Sequence, residues 1–440
     1  MRWSRAVVPL LAGAAGVAGL VATVALVADG GRGTPEARSG GRLDDASGIR
    51  ATPGLPSRVD PTQAVVAERI FVYGGRSPDA PLGQGGLLDD AVLVDPRTGA
   101  VVPLPSPPFA APLWDAEAVA TPDRVFLIGR ECTVGPDFDP EGDVDEPDCR
   151  PGTYAAAELD VAAARWTRRS IPEALRRTKG ADALVRALGI ATDGRVVLGL
   201  GRVATPEIWT VAGEDWQRVA DPGASMIDGC VTGNRVVVLN VRHRRGDEVT
   251  DADAWSFEQP GEPVTGFDTD GYVEPRVAVL DLEGSADWRA SPPAKVVRYR
   301  DAPPRVVCLG NQAMAVGRSG IGPASVARFD LDAVEPLGVA APPVGEAMPS
   351  AGRAFAGEVW TGAELVFLPI SLEGGSPTLA YRPSTDSWRT LSGLPAITDG
   401  AMWNGVAIVG YAPATWWRQA TNPDAPPQRS AGGVFQVVNA

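Results

Sequence analysis

A chain of 440 residues with a formal net charge of −14 carries no basic stripe for a phosphate backbone, so no nucleic acid is expected as a partner. Its 44% apolar content is enough for a sizeable core, while the single histidine, His243, excludes any multi-histidine zinc, copper or iron site within one chain. Closed all-β rings of this length fold as one domain, so length alone does not require several.

Arg2 and Arg5 precede an uncharged run of 23 residues from Ala6 to Ala28. At about 1.5 Å rise per residue, a helix of that length spans a hydrocarbon core of about 30 Å. The basic flank predicts a cytoplasmic N-terminus with the rest of the chain outside the cell membrane. A cleaved signal peptide is the competing reading. Its apolar region is usually shorter, roughly 7–15 residues. The best small-residue site here, Leu26-Val27-Ala28, has leucine where a small residue is preferred. Residues 1–28 are therefore expected to be an N-terminal transmembrane anchor, with secretion after signal cleavage as the alternative. Residues 29–47, rich in glycine, arginine and aspartate, read as a flexible tether.

Residues 48–440 have an all-β pattern. A short apolar run ending near glycine recurs seven times: at Arg69 (RIFVYGG), Arg124 (RVFLIGR), Arg195 (RVVLGLG), Arg235 (RVVVLNV), Gln312 (QAMAVGR), Glu364 (ELVFLPI) and Gly405 (GVAIVGY). A preceding strand joins each run across a tight turn, as in residues 118–129. A second hairpin follows, clearest in residues 379–391, so each repeat reads as four strands. Asp95, Asp160, Asp281 and Asp330 fall at matching turns, where a carboxylate can accept from nearby backbone N–H groups. Trp166, Trp216, Trp288 and Trp388 occupy matching fourth-strand positions and are expected to pack between sheets. Only residues 172–188 read as a short helix. Repeats of this period form a ring of small sheets, each buried only by its neighbours. The seventh repeat stops at its third strand, residues 433–438, whereas residues 49–58 look like an orphan fourth strand. That N-terminal strand is predicted to complete the last sheet, because an open ring would leave unpaired edges.

Gly74-Gly75 at the end of a second strand, and Tyr381 with Trp388 seven residues on, resemble the kelch-type repeat of the galactose-oxidase-like superfamily. The resemblance implies a seven-bladed β-propeller of four-stranded blades. That superfamily's copper oxidation uses histidines and tyrosines and is not available here. No copper, zinc or haem is expected.

The connections between second and third strands share one face. Four are long: residues 76–90, 130–153, 242–275 and 412–432. Loops of this length in a compact fold are commonly functional. In the second, DFDPEGDVDEPD sets Asp137, Asp139, Glu141, Asp143, Asp145 and Asp148 close to the spacing of a calcium loop, with Gly142 at the turn. A calcium ion needs several oxygens converging at about 2.3–2.6 Å, which alternating acids provide. Position 12 of the loop is the short Asp148, and Pro140 and Pro147 restrict its backbone; a solvated acidic loop is the alternative. Cys132 and Cys149 bracket this segment and are expected to form a disulfide across it. Cys230 and Cys308 fall on first strands of consecutive repeats, where a second bridge is expected. His243 lies in the basic segment VRHRRGDE, read as a solvated loop without a nucleophile signature. Trp416, Trp417 and Arg418, with Trp255, are the candidates for binding a sugar ring or a protein partner. The expected role is a non-catalytic binding or scaffold module for a protein or envelope glycan. A carbohydrate-active hydrolase or lyase of the cell envelope is the alternative, although no Ser-x-Asp-x-Gly-x-x-Trp box is present.

Overall fold

The computed structural model describes residues 48–55, 58, 61–75, 87–132, 153–176, 184–201, 207–219, 226–245, 248–251, 272–284, 287–294, 297–298, 305–317, 325–341, 355–369, 378–391, 401–403, 407–412 and 432–438. The expected membrane segment and tether lie outside these residues.

The described residues form seven antiparallel sheets, six of four strands and one of six. After β1 (Gly48–Leu55), the first sheet runs β2 (Thr62–Val66), β3 (Arg69–Tyr73), β4 (Ala91–Val94) and β5 (Val101–Pro103). The second has β6 (Leu113–Ala120), β7 (Arg124–Glu131), β8 (Tyr154–Asp160) and β9 (Arg165–Arg169), followed by one helical turn, α1 (Glu173–Arg176). The third has β10 (Leu184–Ile190), β11 (Val196–Gly201), β12 (Glu207–Ala212) and β13 (Asp215–Val219). The fourth is the large one: β14 (Asp228–Thr232), β15 (Arg235–Arg245), β16 (Glu248–Asp251), β17 (Tyr272–Asp281), β18 (Arg289–Ala290) and β19 (Val297–Arg298). The fifth has β20 (Arg305–Leu309), β21 (Gln312–Gly317), β22 (Ser325–Asp330) and β23 (Glu335–Ala340). The sixth has β24 (Phe355–Trp360), β25 (Leu365–Pro369), β26 (Thr378–Arg382) and β27 (Ser387–Leu391). In the seventh, β28 (Ala401–Trp403), β29 (Ala407–Ala412) and β30 (Gly432–Val438) are joined by β1, which pairs with β30 from Gly48↔Val438 to Leu55↔Gly432.

The expected fourth strand from the N-terminus is therefore in place. Two expectations change. The fourth sheet exceeds the four-strand pattern, and of the helix expected over residues 172–188 the described residues hold one turn, α1. From Leu184 onward that segment pairs with β11 instead. A short helix is marginal in water, whereas a strand gains cross-strand bonds and a buried face.

Each apolar cluster lies between two consecutive sheets. Ala64, Phe71 and Leu93 of the first sheet meet Ala118, Leu127 and Leu159 of the second. Phe126 and Ile128 of the second meet Leu198 and Val211 of the third. The series continues between third and fourth, fourth and fifth, and fifth and sixth sheets. Ile70 and Val72 on the other face of the first sheet share a cluster with Met402 of the seventh, and β24 of the sixth adjoins β28. Burying one such aliphatic side chain contributes roughly 1.5–3 kcal/mol. The expected tryptophans do this work at the sheet edges. Trp166 reaches Phe71 in the preceding sheet with ring centroids 6.1 Å apart, and Trp216 reaches Phe126 at 6.4 Å. Trp388 lies on Phe367 and Tyr381 of its own sheet.

Polar locks repeat between the first strands. Thr62 Oγ1 donates to Ala116 O of the next sheet at 2.8 Å. Glu117 accepts from Arg186 Nη1 at 2.8 Å and from the Ala187 N–H at 3.1 Å. Asp228 accepts from the Val306 N–H at 2.7 Å. The turn aspartates act as expected: Asp95, Asp160, Asp281 and Asp330 each accept from a backbone N–H two or three residues on. Burial works against the Asp95 carboxylate, but N–H donors of Arg97 and Thr98 outweigh it and hold its pKa below the usual value.

Candidate functional site

Because strands succeed one another across most sheets, second-to-third connections leave from one edge and tight turns from the other. Four long connections leave the first edge, after Tyr73, after Glu131, after Asp251 at the end of the added strand β16, and after Ala412. The described residues fix how they begin and end.

The first is held at its stem. Gly74 N–H donates to Asp90 O and Leu88 N–H to Gly75 O, at 3.0 and 2.9 Å. Gly74 has φ +59°, and a Cβ there would sit 3.1 Å from Leu88 O, so only glycine fits without strain. Arg58 is 1% exposed and plugs this stem. Its Nη1 donates to Gly74 O at 2.9 Å and its Nη2 pairs with Asp90. The residue thus ties the segment just after β1, in the seventh sheet, to the first sheet. The second stem is closed by Glu131 N–H to Thr153 O at 3.2 Å and by Cys132 N–H to Pro112 O at 2.9 Å. The Arg130 guanidinium stands over the Tyr154 ring, 5.1 Å from its centroid. Both stems reach the next sheet through a tyrosine: Tyr73 accepts from the Leu113 N–H at 3.0 Å, and Tyr154 from the Val185 N–H at 3.1 Å. Burial raises the pKa of both hydroxyls above the ordinary tyrosine value.

Of the residues picked out in the sequence, Asp137, Asp139, Glu141, Asp143, Asp145, Asp148, Cys149, Trp255, Trp416, Trp417 and Arg418 lie outside the described residues. Cys230 and Cys308 form the expected disulfide between β14 and β20, with Cα atoms 5.9 Å apart. Cys132 is disulfide-bonded as well. His243 is in strand β15, opposite Thr250 and Val273, rather than in the loop expected for it. Its segment has no glycine or proline until Gly246, which suits a strand as well as a loop. Arg58 and Arg130 were not singled out from the sequence. No local pattern marks an arginine whose partners lie 16 or more residues away, as Gly74 and Asp90 do.

The tight-turn edge is structurally committed. A cleft between the second and third sheets, lined by Thr121, Arg124, Glu158 and Val196, encloses about 50 Å³. That holds a water or two, well short of the ~300 Å³ of a small ligand pocket. Its charges bind each other: Glu158 takes Arg124 at 3.2 Å and Arg169 at 2.7 Å, and Arg169 takes Glu214 at 2.7 Å. The hydrogen bond from Arg169 holds the Glu214 carboxyl below its usual pKa. This relay joins sheets and leaves no free acid–base pair at the cleft.

No protein-family model matches the chain, and no curated protein matches it significantly.

Proposed function

We propose that this chain is a seven-bladed, kelch-like β-propeller held at the extracytoplasmic face of the cell membrane, acting as a non-catalytic binding or scaffold module for a protein or envelope glycan. One observation carries the reading. Long connections leave a single edge on stems pinned by Gly74, Arg58 and Tyr154, while at the tight-turn edge the ion pairs Arg169–Glu214 and Arg235–Asp332 join neighbouring sheets. Variable loops on a rigid frame are where binding residues concentrate. Trp255, Trp416, Trp417 and Arg418 supply the proposed contacts, and the acidic segment with Asp137 and Asp139 is the proposed calcium loop.

The reading is tested by passing envelope protein and glycan fractions over the immobilised full chain. Retention of a component that is lost when Trp255, Trp416 and Trp417 are changed to alanine supports it. Retention of neither fraction refutes it. Calcium is tested separately: it should raise Tm in the native chain but not in the Asp137→Ala/Asp139→Ala variant.

A further inference from the structure

Strand β6 kinks near the long-connection edge. Its Trp114 pairs with Arg130 and its Glu117 with Ile128, so Asp115 and Ala116 together oppose the single Gly129 of β7. Two residues against one make a β-bulge, which bends a strand and re-aims a side chain. Gly129 leaves room for it, since a Cβ there would sit 3.0 Å from Ala116 Cα. Asp115 has φ +47°, a left-handed conformation that strains most residues other than glycine. Both neighbouring sheets hold the bulge in place. Thr62 of β2 donates to Ala116 O, while Glu117 accepts from Arg186 and from the Ala187 N–H of β10. Backbone strain enforced from both sides points to a functional position.

The side chains beside the bulge form a surface. Trp114, Arg130 and Tyr154 are paired in one row across β6, β7 and β8, and partners in a row project from the same face. That face looks to the third sheet, where Tyr154 accepts from the Val185 N–H. Arg130 and Tyr154 are buried against each other, whereas Trp114 and Asp115 are half-buried. Trp166, Trp209 and Trp216 pack into the two apolar clusters that flank the second sheet, but Trp114 joins neither. It has no ring contact among the described residues. Burial chiefly raises the Tyr154 pKa, Arg130 opposes the rise and Asp115 adds to it, which puts the Asp115 carboxylate within electrostatic reach of the phenol. The charges around the bulge cancel, Asp115 and Glu117 against Arg130 and Arg186.

We infer that the Trp114–Asp115 bulge is a binding site for an uncharged pyranose unit of an envelope glycan. The indole offers a flat apolar surface to the C–H face of a sugar ring. The carboxylate is a strong acceptor for sugar hydroxyls. Both groups sit on a strand tied to its two neighbouring sheets, so the angle between ring and carboxylate is fixed before the sugar arrives. With the local charges balanced, neither an acidic nor a basic sugar gains net attraction, and stacking with hydroxyl geometry decides selection. This site deepens the binding function proposed above and rests on it.

The test titrates the full chain in neutral detergent with dextran, mannan and a galactan, and with polygalacturonate as the charged comparison. At least one neutral polymer should bind, and more tightly than polygalacturonate. Trp114→Ala should weaken that binding at least tenfold, and Trp114→Phe, which keeps a flat ring, should recover part of the loss. Asp115→Gly separates binding from folding. Glycine adopts φ +47° freely, so Tm should stay level or rise while affinity falls at least tenfold. Full binding by the Asp115→Gly variant, or polygalacturonate bound as tightly as any neutral polymer, overturns the site. So does an envelope protein whose retention depends on Trp114 when no polymer binds, which would make the bulge a protein contact. If the native chain retains an envelope component but no polymer, this inference falls and the binding function stands. If it retains nothing at all, both fall.

Discussion

At Gln63 both amide atoms are buried, the residue is 1% exposed, and neither atom has a hydrogen-bond partner among the described residues. It pairs with Val72, whose cluster includes Met402 of the seventh sheet. A buried amide left unsatisfied costs about 1–3 kcal/mol. Gln63→Met keeps the volume and removes the polar atoms, so urea unfolding should show a gain of about 1 kcal/mol; a loss would mean that the amide is satisfied in solution. The tyrosines give a pH signature. Tyr73, Tyr154 and Tyr381 have folded pKa values above the unfolded value of about 10, chiefly through burial. A raised pKa contributes stability that is present below the unfolded value and lost as pH climbs through the folded one. Tm should therefore hold to about pH 9.5 and fall above 10, and Tyr73→Phe should flatten that fall. Residue roles set locally were legible in the sequence: the turn aspartates act on N–H groups two or three positions away. Gln63 and Arg58 were not, because what surrounds them comes from distant segments.

Strand β1 is the element with most depending on it. It supplies the fourth strand of the seventh sheet, and Arg58 follows it directly into the first sheet. Deleting residues 1–58 should leave β30 as an open edge and a buried stem without its guanidinium. The truncated chain should melt several degrees lower and associate on size exclusion. A peptide of residues 48–58 added in trans should restore both properties. The pairing was legible because the last repeat lacked a fourth strand and the N-terminus offered one. The helix expected over residues 172–188 fails for the opposite reason. Its alanine and leucine pattern is satisfied equally by a strand, and pairing of Leu184–Ile190 with β11 decides between them. The added strand β16 of the fourth sheet was hidden likewise, since residues 242–251 are rich in polar and charged residues that read as loop until a partner strand is known.

The molecule as a whole is held by contacts between sheets, and one of them is covalent. Cys230–Cys308 joins the first strands of the fourth and fifth sheets across 78 residues. Closing a loop of that size in the unfolded chain corresponds to about 4 kcal/mol, with native proteins showing roughly 2–5. The Cys230→Ser/Cys308→Ser variant should lose about 2–4 kcal/mol in urea unfolding. A change under 1 kcal/mol would mean the bridge adds little to the packing of Val237, Val306 and Phe329 around it.

The repeating apolar runs, the turn chemistry and the spare N-terminal strand were enough by themselves to determine an all-β chain of four-stranded units with joined termini, since those features depend on residues near each other in sequence. Only tertiary structure decided which charges are consumed within the frame, that Arg58 seals a loop stem, and that β16 and β19 are added to the fourth sheet. Cross-strand register sets those neighbours, and register is a property of paired segments that no single stretch of sequence contains.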